Sequence, residues 1–425
     1  MLDISFIRDN QDRVRQALRT RAPKFDFDAF LGLDAERRKL QTDLDALRAL
    51  RNKKNDEVAA LKKSKQDAAA AIAEMKEISS RIGALEGREA EIAQSFRDQL
   101  LVMPNVPHVS VQEGTDASGN VEVSKWGEPV KHAFKARDHQ EIGALHGILD
   151  MARGAKLTGS AFSLFAGAGA RLQRALINYM LDLHTSRHGY REYWPPYLVN
   201  RASMTGTGQV PKFEEDMYRL KDDDYFLIPT AEVPVTNIHR DETLSETQLP
   251  LKYTAYTPCF RREAGAYGKD TKGLTRVHQF DKVELVKFTR PEDSYAEHES
   301  LLKDAEAVLQ GLGLPYRVLR LCSGDMGFSA AKCYDIEVWA AGLGRWLEVS
   351  SVSNFEDFQA RRANIRFRRD SGKSEYVHTL NGSGVALPRV VIALLENYQD
   401  PDGSVRIPEG LRPYMGGLSV LKATA

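Results

Sequence analysis

Residues 260–284 read FRREAGAYGKDTKGLTRVHQFDKVE: a Phe-Arg-Arg-Glu opening, a basic glycine-rich middle, and an alternating close, Gln279-Phe280-Asp281-Lys282-Val283-Glu284. The pattern predicts a strand, a long loop and a returning strand, because period-two alternation marks strands and glycine-rich polar runs interrupt them. Arg261, Arg262, Lys269, Lys272 and Arg276 set cations beside Gly265, Gly268 and Gly273, a composition suited to gripping a polyphosphate. A solvated basic turn has the same composition, so the hairpin alone leaves both readings open.

Around this hairpin lies a chain of 425 residues, 42% hydrophobic, long enough for two domains or more. Basic and acidic residues balance at 59 each, so any nucleic-acid surface must be local and not a global positive field. Cys259, Cys322 and Cys333 are too few and too widely spaced for a disulfide framework or a paired-cysteine zinc site. Thiols in a reducing, cytoplasmic compartment are the expectation, with no zinc. The opening MLDISFIRDNQDRVRQAL has no long apolar run, and neither an export signal nor a membrane span is expected.

N-terminally, Leu2-Asp3-Ile4 reads as a short strand or cap, followed by a helix carrying Val14 and Leu18 on one face. From about residue 33 to 101 the pattern is helical. Leu40, Leu44, Leu47, Arg51, Lys54, Val58 and Leu61 follow a 4-3-4-3 spacing, as do Ala71, Met75, Ile78, Ile82, Leu85, Glu89, Ile92 and Phe96. Two matched seams joined by a polar turn at 62–67 predict an antiparallel coiled-coil hairpin, each helix roughly 30 residues and about 45 Å long. Its cations, among them Arg37, Arg48, Arg51, Lys53, Lys54, Lys62 and Lys63, suit either an ordinary solvated face or a rod lying along a phosphate backbone. The prolines of MPNVP at 103–107 end the second helix. The expected organisation is an N-terminal domain 1–105, a linker 106–120 and a second domain 121–425 of α+β texture, without the glycine signatures of doubly wound nucleotide folds.

Within the second domain, residues 168–188 predict a helix facing a core through Leu172, Leu176 and Met180, stopped by Gly189 and followed by Tyr190-Arg191-Glu192-Tyr193-Trp194-Pro195-Pro196. Thr230-Ala231-Glu232 reads by itself as a helix cap. In Trp346-Leu347-Glu348-Val349-Ser350-Ser351-Val352 simple alternation places Glu348 with Ser350 on one face and Val349 with Ser351 on the other. Asn381-Gly382-Ser383-Gly384 leads through Val385-Ala386-Leu387-Pro388-Arg389 into a helix.

The order FRRE, basic loop, HQFDKVE resembles motif 2 of the class II aminoacyl-tRNA synthetases, in the form found in the seryl-tRNA synthetase family. The 168–199 segment resembles motif 1, the 381–398 segment motif 3, and the coiled-coil hairpin that family's tRNA-binding arm; the resemblance covers essentially the whole chain. It implies a six- to seven-stranded antiparallel sheet flanked by helices, a homodimer through motif 1, and activation of L-serine with ATP followed by transfer to serine tRNA, with selenocysteine tRNA left open as an acceptor. It implies serine contacts from Thr230, Ala231, Glu232, Glu284, Asn381 and Ser383, with Arg261 for the carboxylate. ATP contacts would come from Arg261, Arg262, Glu263, Arg276, Val277, Phe280, Glu348, Val349, Ser350, Ser351 and Arg389, with Arg261, Arg276 and Arg389 catalytic. Magnesium would sit on Glu348 and Ser351, and tRNA on the seven arm cations named above and on the motif 2 loop. Departures from the family pattern are Ala266-Tyr267, Lys269 and Lys272 in the loop, Ala161 after Gly159-Ser160, and Leu387-Pro388 before the last helix.

Overall fold

A computed structural model describes residues 1–264 and 272–422. Gly265, Gly268 and Lys269, three of the residues read as gripping phosphate, and Ala266-Tyr267 lie outside the described residues. The chain divides into two compact units: Ala22–Met103, and Met1–Arg21 together with Pro104–Ala425.

The smaller unit is the helical hairpin, Phe27–Lys63 and Ala69–Val102. Leu40, Leu44, Leu47 and Val58 bury against Ala71, Ile78, Ile82, Ile92 and Phe96, the two seams expected from spacing. The helix starts at Phe27, earlier than residue 33, because Asp26 caps it by accepting from the Ala29 N–H and Phe30 extends the seam by stacking on Phe96 at 4.9 Å. Where cations interrupt the apolar seam, Lys54 pairs with Glu57 at 2.9 Å and across the hairpin with Glu74 at 2.7 Å. At the tip the Gln66 N–H reaches back to the Leu61 carbonyl, and Lys65 turns the chain with φ +58°.

In the larger unit one sheet positions everything else. Its strands, numbered in chain order, are β1 Val121–Trp126, β2 Arg191–Glu192, β3 Leu251–Phe260, β4 Gln279–Thr289, β5 Tyr316–Arg320, β6 Lys332–Ala340, β7 Arg345–Asn354 and β8 His378–Ala386. They lie in the order β1-β5-β6-β7-β8-β4-β3-β2. All neighbours are antiparallel except the two-residue edge strand β2, which runs parallel to β3; with the edge strands β1 and β2 the count is eight. The predicted hairpin is β3–β4, in register from Leu251↔Phe288 to Phe260↔Gln279.

Both faces of β4 are covered, and its alternation shows how. Val283 and Leu285 join the main core with Leu172, Leu176 and Met180 of helix Gly167–Arg187, with Leu301 and Ala305 of helix Ser294–Gly311, and with the apolar residues of helix Leu387–Asn397. Val286 and Phe288 enter a second apolar cluster with Ala231 and Ala255 on the opposite face. Further along that second face apolar residues give way to Glu284, Lys282 and Phe280, and there the sheet opens into a cavity. On the neighbouring strand a Cβ at Gly384 would lie 2.7 Å from His184 Nε2, so only glycine lets β8 approach the core helix while Ser383 faces the cavity.

Two sequence expectations shift. Residues 1–21 are part of the larger unit: Leu2-Asp3-Ile4 is a cap, Asp3 accepting from the Ser5 and Phe6 N–H groups, and Asp3 pairs with Arg361 at 2.6 Å. The segment read as a linker is held throughout. Asn105 donates to the Ser329 and Phe355 carbonyls, the His108 N–H donates to the Ala331 carbonyl, and Cys322 Sγ donates to the Asp116 carbonyl. The last helix starts regularly, with Pro388 in its first turn, where the missing N–H costs nothing.

Candidate active site

The cavity is about 760 Å³, lined by Arg261 just past β3, by the open end of β4, by β7 and β8, and by the 207–217, 274–277 and 327–330 segments. At its deep end the register sets Ser383 beside Glu284. Glu284 is fully buried. Its Oε1 accepts from Asn381 Nδ2 at 2.7 Å, and its Oε2 from Lys282 Nζ at 2.6 Å and Thr230 Oγ1 at 3.2 Å. Lys282 Nζ also donates to Thr230 Oγ1 at 2.8 Å. Glu232, in the first turn of helix Glu232–Thr236, accepts from Gln359 Nε2 at 2.6 Å. Burial raises its carboxyl to about 7, with the negative charge of Glu284 adding to the effect. Ala231 packs behind, in the second apolar cluster.

Toward the opening stand three arginines. Arg261, where β3 ends, lies over the Phe280 ring at 5.1 Å and donates from Nε to the Pro229 carbonyl at 3.4 Å. Arg276 pairs with Glu263 at 2.5 Å. Arg389, in the first turn of the last helix, donates to the Glu348 carbonyl at 2.6 Å and the Thr275 carbonyl at 3.3 Å. Val277 and Val349 are apolar lining, and Ser350 Oγ donates to the Ser383 carbonyl at 2.7 Å, tying β7 to β8. Arg262 is not brought to the cavity; it faces a separate depression with Glu214, Tyr218 and Arg219. Successive residues of an extended chain point opposite ways, which separates the two arginines.

The alternation expected for 346–352 is broken. Glu348 pairs with Glu337, but the next pair is Ser350 with Ile336, so Val349 is the extra residue of a bulge. The slip moves Ser351 to the face of Glu348, and Ser351 Oγ donates to Glu348 Oε1 at 3.2 Å. Opposite Ser351 is Asp335, whose carboxyl burial holds well above the usual range, the Glu348 charge adding to it. A carboxylate and a hydroxyl on one rim, beside Arg389, form an oxygen donor set that fits a hard divalent cation.

In the hairpin unit Arg37 lies over Phe96 at 4.9 Å and pairs with Asp34; Arg48 pairs with Glu86 across the hairpin at 2.8 Å, and Lys54 is engaged as described. Lys53, Lys62 and Lys63 are exposed, and Arg51 is half-buried. The sequence patterns assign no role to Lys282, Gln359, Thr275 or Asp335. For Lys282 a signal existed, since 280, 282 and 284 share a strand face; Gln359 comes from a distant helix and had none.

Comparison with known proteins matches two stretches of the chain. The seryl-tRNA synthetase N-terminal domain matches residues 1–107, and the tRNA synthetase class II core domain (G, H, P, S and T) matches residues 212–398. The chain is 57% identical to the serine–tRNA ligase of Thermodesulfovibrio yellowstonii, over 98% of this chain and 99% of the relative. Among solved structures it is similar to the seryl-tRNA synthetase of Pyrococcus horikoshii complexed with ATP, with a TM-score of 0.95 and 39% identity over the whole of both chains. A second is the cytoplasmic enzyme of Naegleria fowleri in complex with AMP, at TM-score 0.87 and 30% identity over 100% of this chain and 99% of that one.

Proposed function

The chain belongs to the seryl-tRNA synthetase family of class II aminoacyl-tRNA synthetases, and from that premise we propose how its cavity divides the reaction. The activity is that of an ATP-dependent serine–tRNA ligase: L-serine and ATP give seryl-adenylate and pyrophosphate, and the seryl group then passes to the 3' end of serine tRNA. The observation that carries the assignment of roles is polarity. One end of the cavity holds two buried carboxylates with hydrogen-bonding groups, and the other holds three arginines.

Serine enters with its ammonium toward Glu232 and its hydroxyl toward Glu284, Thr230 and Ser383. Its carboxylate meets Arg261. An oxygen of that carboxylate attacks the α-phosphorus of ATP, a P–O bond forms, and the bond to the pyrophosphate oxygen breaks. The nucleophile is already anionic, so the protein contributes placement and neutralisation of developing charge. Arg261 spans the carboxylate and the α-phosphate, while Arg276 and Arg389 address the remaining phosphates. Phe280 stacks on adenine and Glu263 accepts from its amino group, exchanging its bond with Arg276 for one with the base. Glu348 and Ser351 would hold magnesium, which supplies further neutralisation of phosphate charge. The hairpin, with its exposed Lys53, Lys62 and Lys63, is assigned to the tRNA backbone, and the larger unit to catalysis. The motif 1 segment, where Trp194 is 72% exposed, is assigned to a homodimer contact. No helix is long and apolar enough to cross a membrane among the described residues, and a cytoplasmic site of action fits three buried free cysteines.

Charging of total tRNA with each labelled amino acid in turn tests this reading. Serine alone is expected to be attached; attachment of another amino acid in its place, or none, would refute it.

A further inference from the structure

We propose that Lys282 is a specificity-determining residue of the amino-acid pocket: its ammonium, fixed between Glu284 and Thr230, excludes amino acids that place a second cation where serine places its hydroxyl. The proposal rests on the reading of this pocket as the serine site.

Lys282 reaches the pocket because Phe280, Lys282 and Glu284 share one face of β4. Its side chain is 7% exposed and that of Glu284 0%, so their contact at 2.6 Å lies where little solvent screens it. Glu232 and Glu284 supply two carboxylates and Lys282 one ammonium, and the nearest guanidinium, Arg261, is directed to Pro229 and Phe280. With Glu232 ionised, one negative charge is left over. Serine brings one ammonium for it, and its neutral hydroxyl can join the Glu284, Thr230 and Asn381 hydrogen bonds without displacing charge. L-2,3-Diaminopropionate has the shape of serine with an ammonium in place of the hydroxyl. In this pocket that ammonium would lie against Lys282, and like charges in juxtaposition at a binding site are strongly disfavoured. With Lys282 neutral, Glu284 lacks its cation and the β-ammonium can take that place. The residue therefore works by repulsion of the wrong substrate as well as by support of the right one.

A residue that merely props the pocket would affect both amino acids alike. ATP–pyrophosphate exchange is measured with serine and with L-2,3-diaminopropionate for the unsubstituted enzyme, Lys282→Met, Lys282→Gln and Lys282→Arg, with ATP binding as the check on folding. The ratio of kcat/KM for serine over diaminopropionate is expected to fall by about 100-fold or more in the two neutral variants, the scale of a relieved like-charge contact. Lys282→Arg keeps the cation and is expected to keep the ratio. Parallel losses for both amino acids, with the ratio unchanged in both Lys282→Met and Lys282→Gln, would overturn the proposal. Absence of serine exchange in the unsubstituted enzyme would overturn the pocket reading itself.

Discussion

Glu232 is the side chain on which the chemistry of the pocket turns, since it is buried, accepts from Gln359, and has a carboxyl raised from 4.5 to about 7. Its folded value lies above its unfolded one. The native state therefore binds more protons between these values, and the contribution of this group to stability is full below the lower value and is lost as pH rises through the upper. For the substrate the sign is opposite, because an ammonium needs the carboxylate. Serine KM is expected to fall as pH rises toward about 7 and then to level. Glu232→Gln should hold KM high and remove this dependence, while the KM for ATP stays near that of the unsubstituted enzyme. Serine-dependent pyrophosphate exchange across the neutral pH range reads both, and a pH dependence that survives the substitution would assign it to another group.

Among the elements, β7 has the most consequence for its length. A single extra residue at Val349 puts Glu348 and Ser351 on one rim. Ser351→Ala is expected to weaken Mn²⁺ binding in the presence of ATP by about tenfold, the low end of what support around a metal is worth, with serine affinity measured without ATP unchanged. Electron paramagnetic resonance of Mn²⁺ reports the first and calorimetry the second. Unaltered Mn²⁺ affinity would remove Ser351 from the metal site. Such a bulge leaves no trace in composition, and one slipped residue inverts every later side chain of a strand, so alternation read the wrong faces here. Longer patterns were legible for the opposite reason. The coiled-coil seam repeats from Leu40 to Val58 and from Ala71 to Phe96, and the β3–β4 hairpin is written in the alternation on both sides of its loop. The alternation also contained Lys282, a cation two residues from an acid on one face. What remained hidden, such as Gln359 against Glu232 or the fastening of 105–116 onto the larger unit, depends on contacts between residues far apart in the chain, which no local pattern encodes.

At the scale of the molecule the chain is two compact units joined by covalent continuity at residues 21–22 and 103–104. The cavity, with both carboxylates and all three arginines, is built from the larger unit alone, and the smaller unit contributes a self-sufficient coiled-coil seam and a basic tip. Amino-acid activation is therefore expected to be separable from tRNA engagement. The most direct measurement compares the full chain with a variant in which residues 22–103 are replaced by a short glycine–serine linker, assaying serine-dependent ATP–pyrophosphate exchange and serine charging of tRNA side by side. Exchange is expected to stay close to that of the full chain and charging to fall on the order of a hundredfold or more, the scale of losing several phosphate contacts. Exchange and charging falling together in a folded variant, or charging left intact, would contradict that separation.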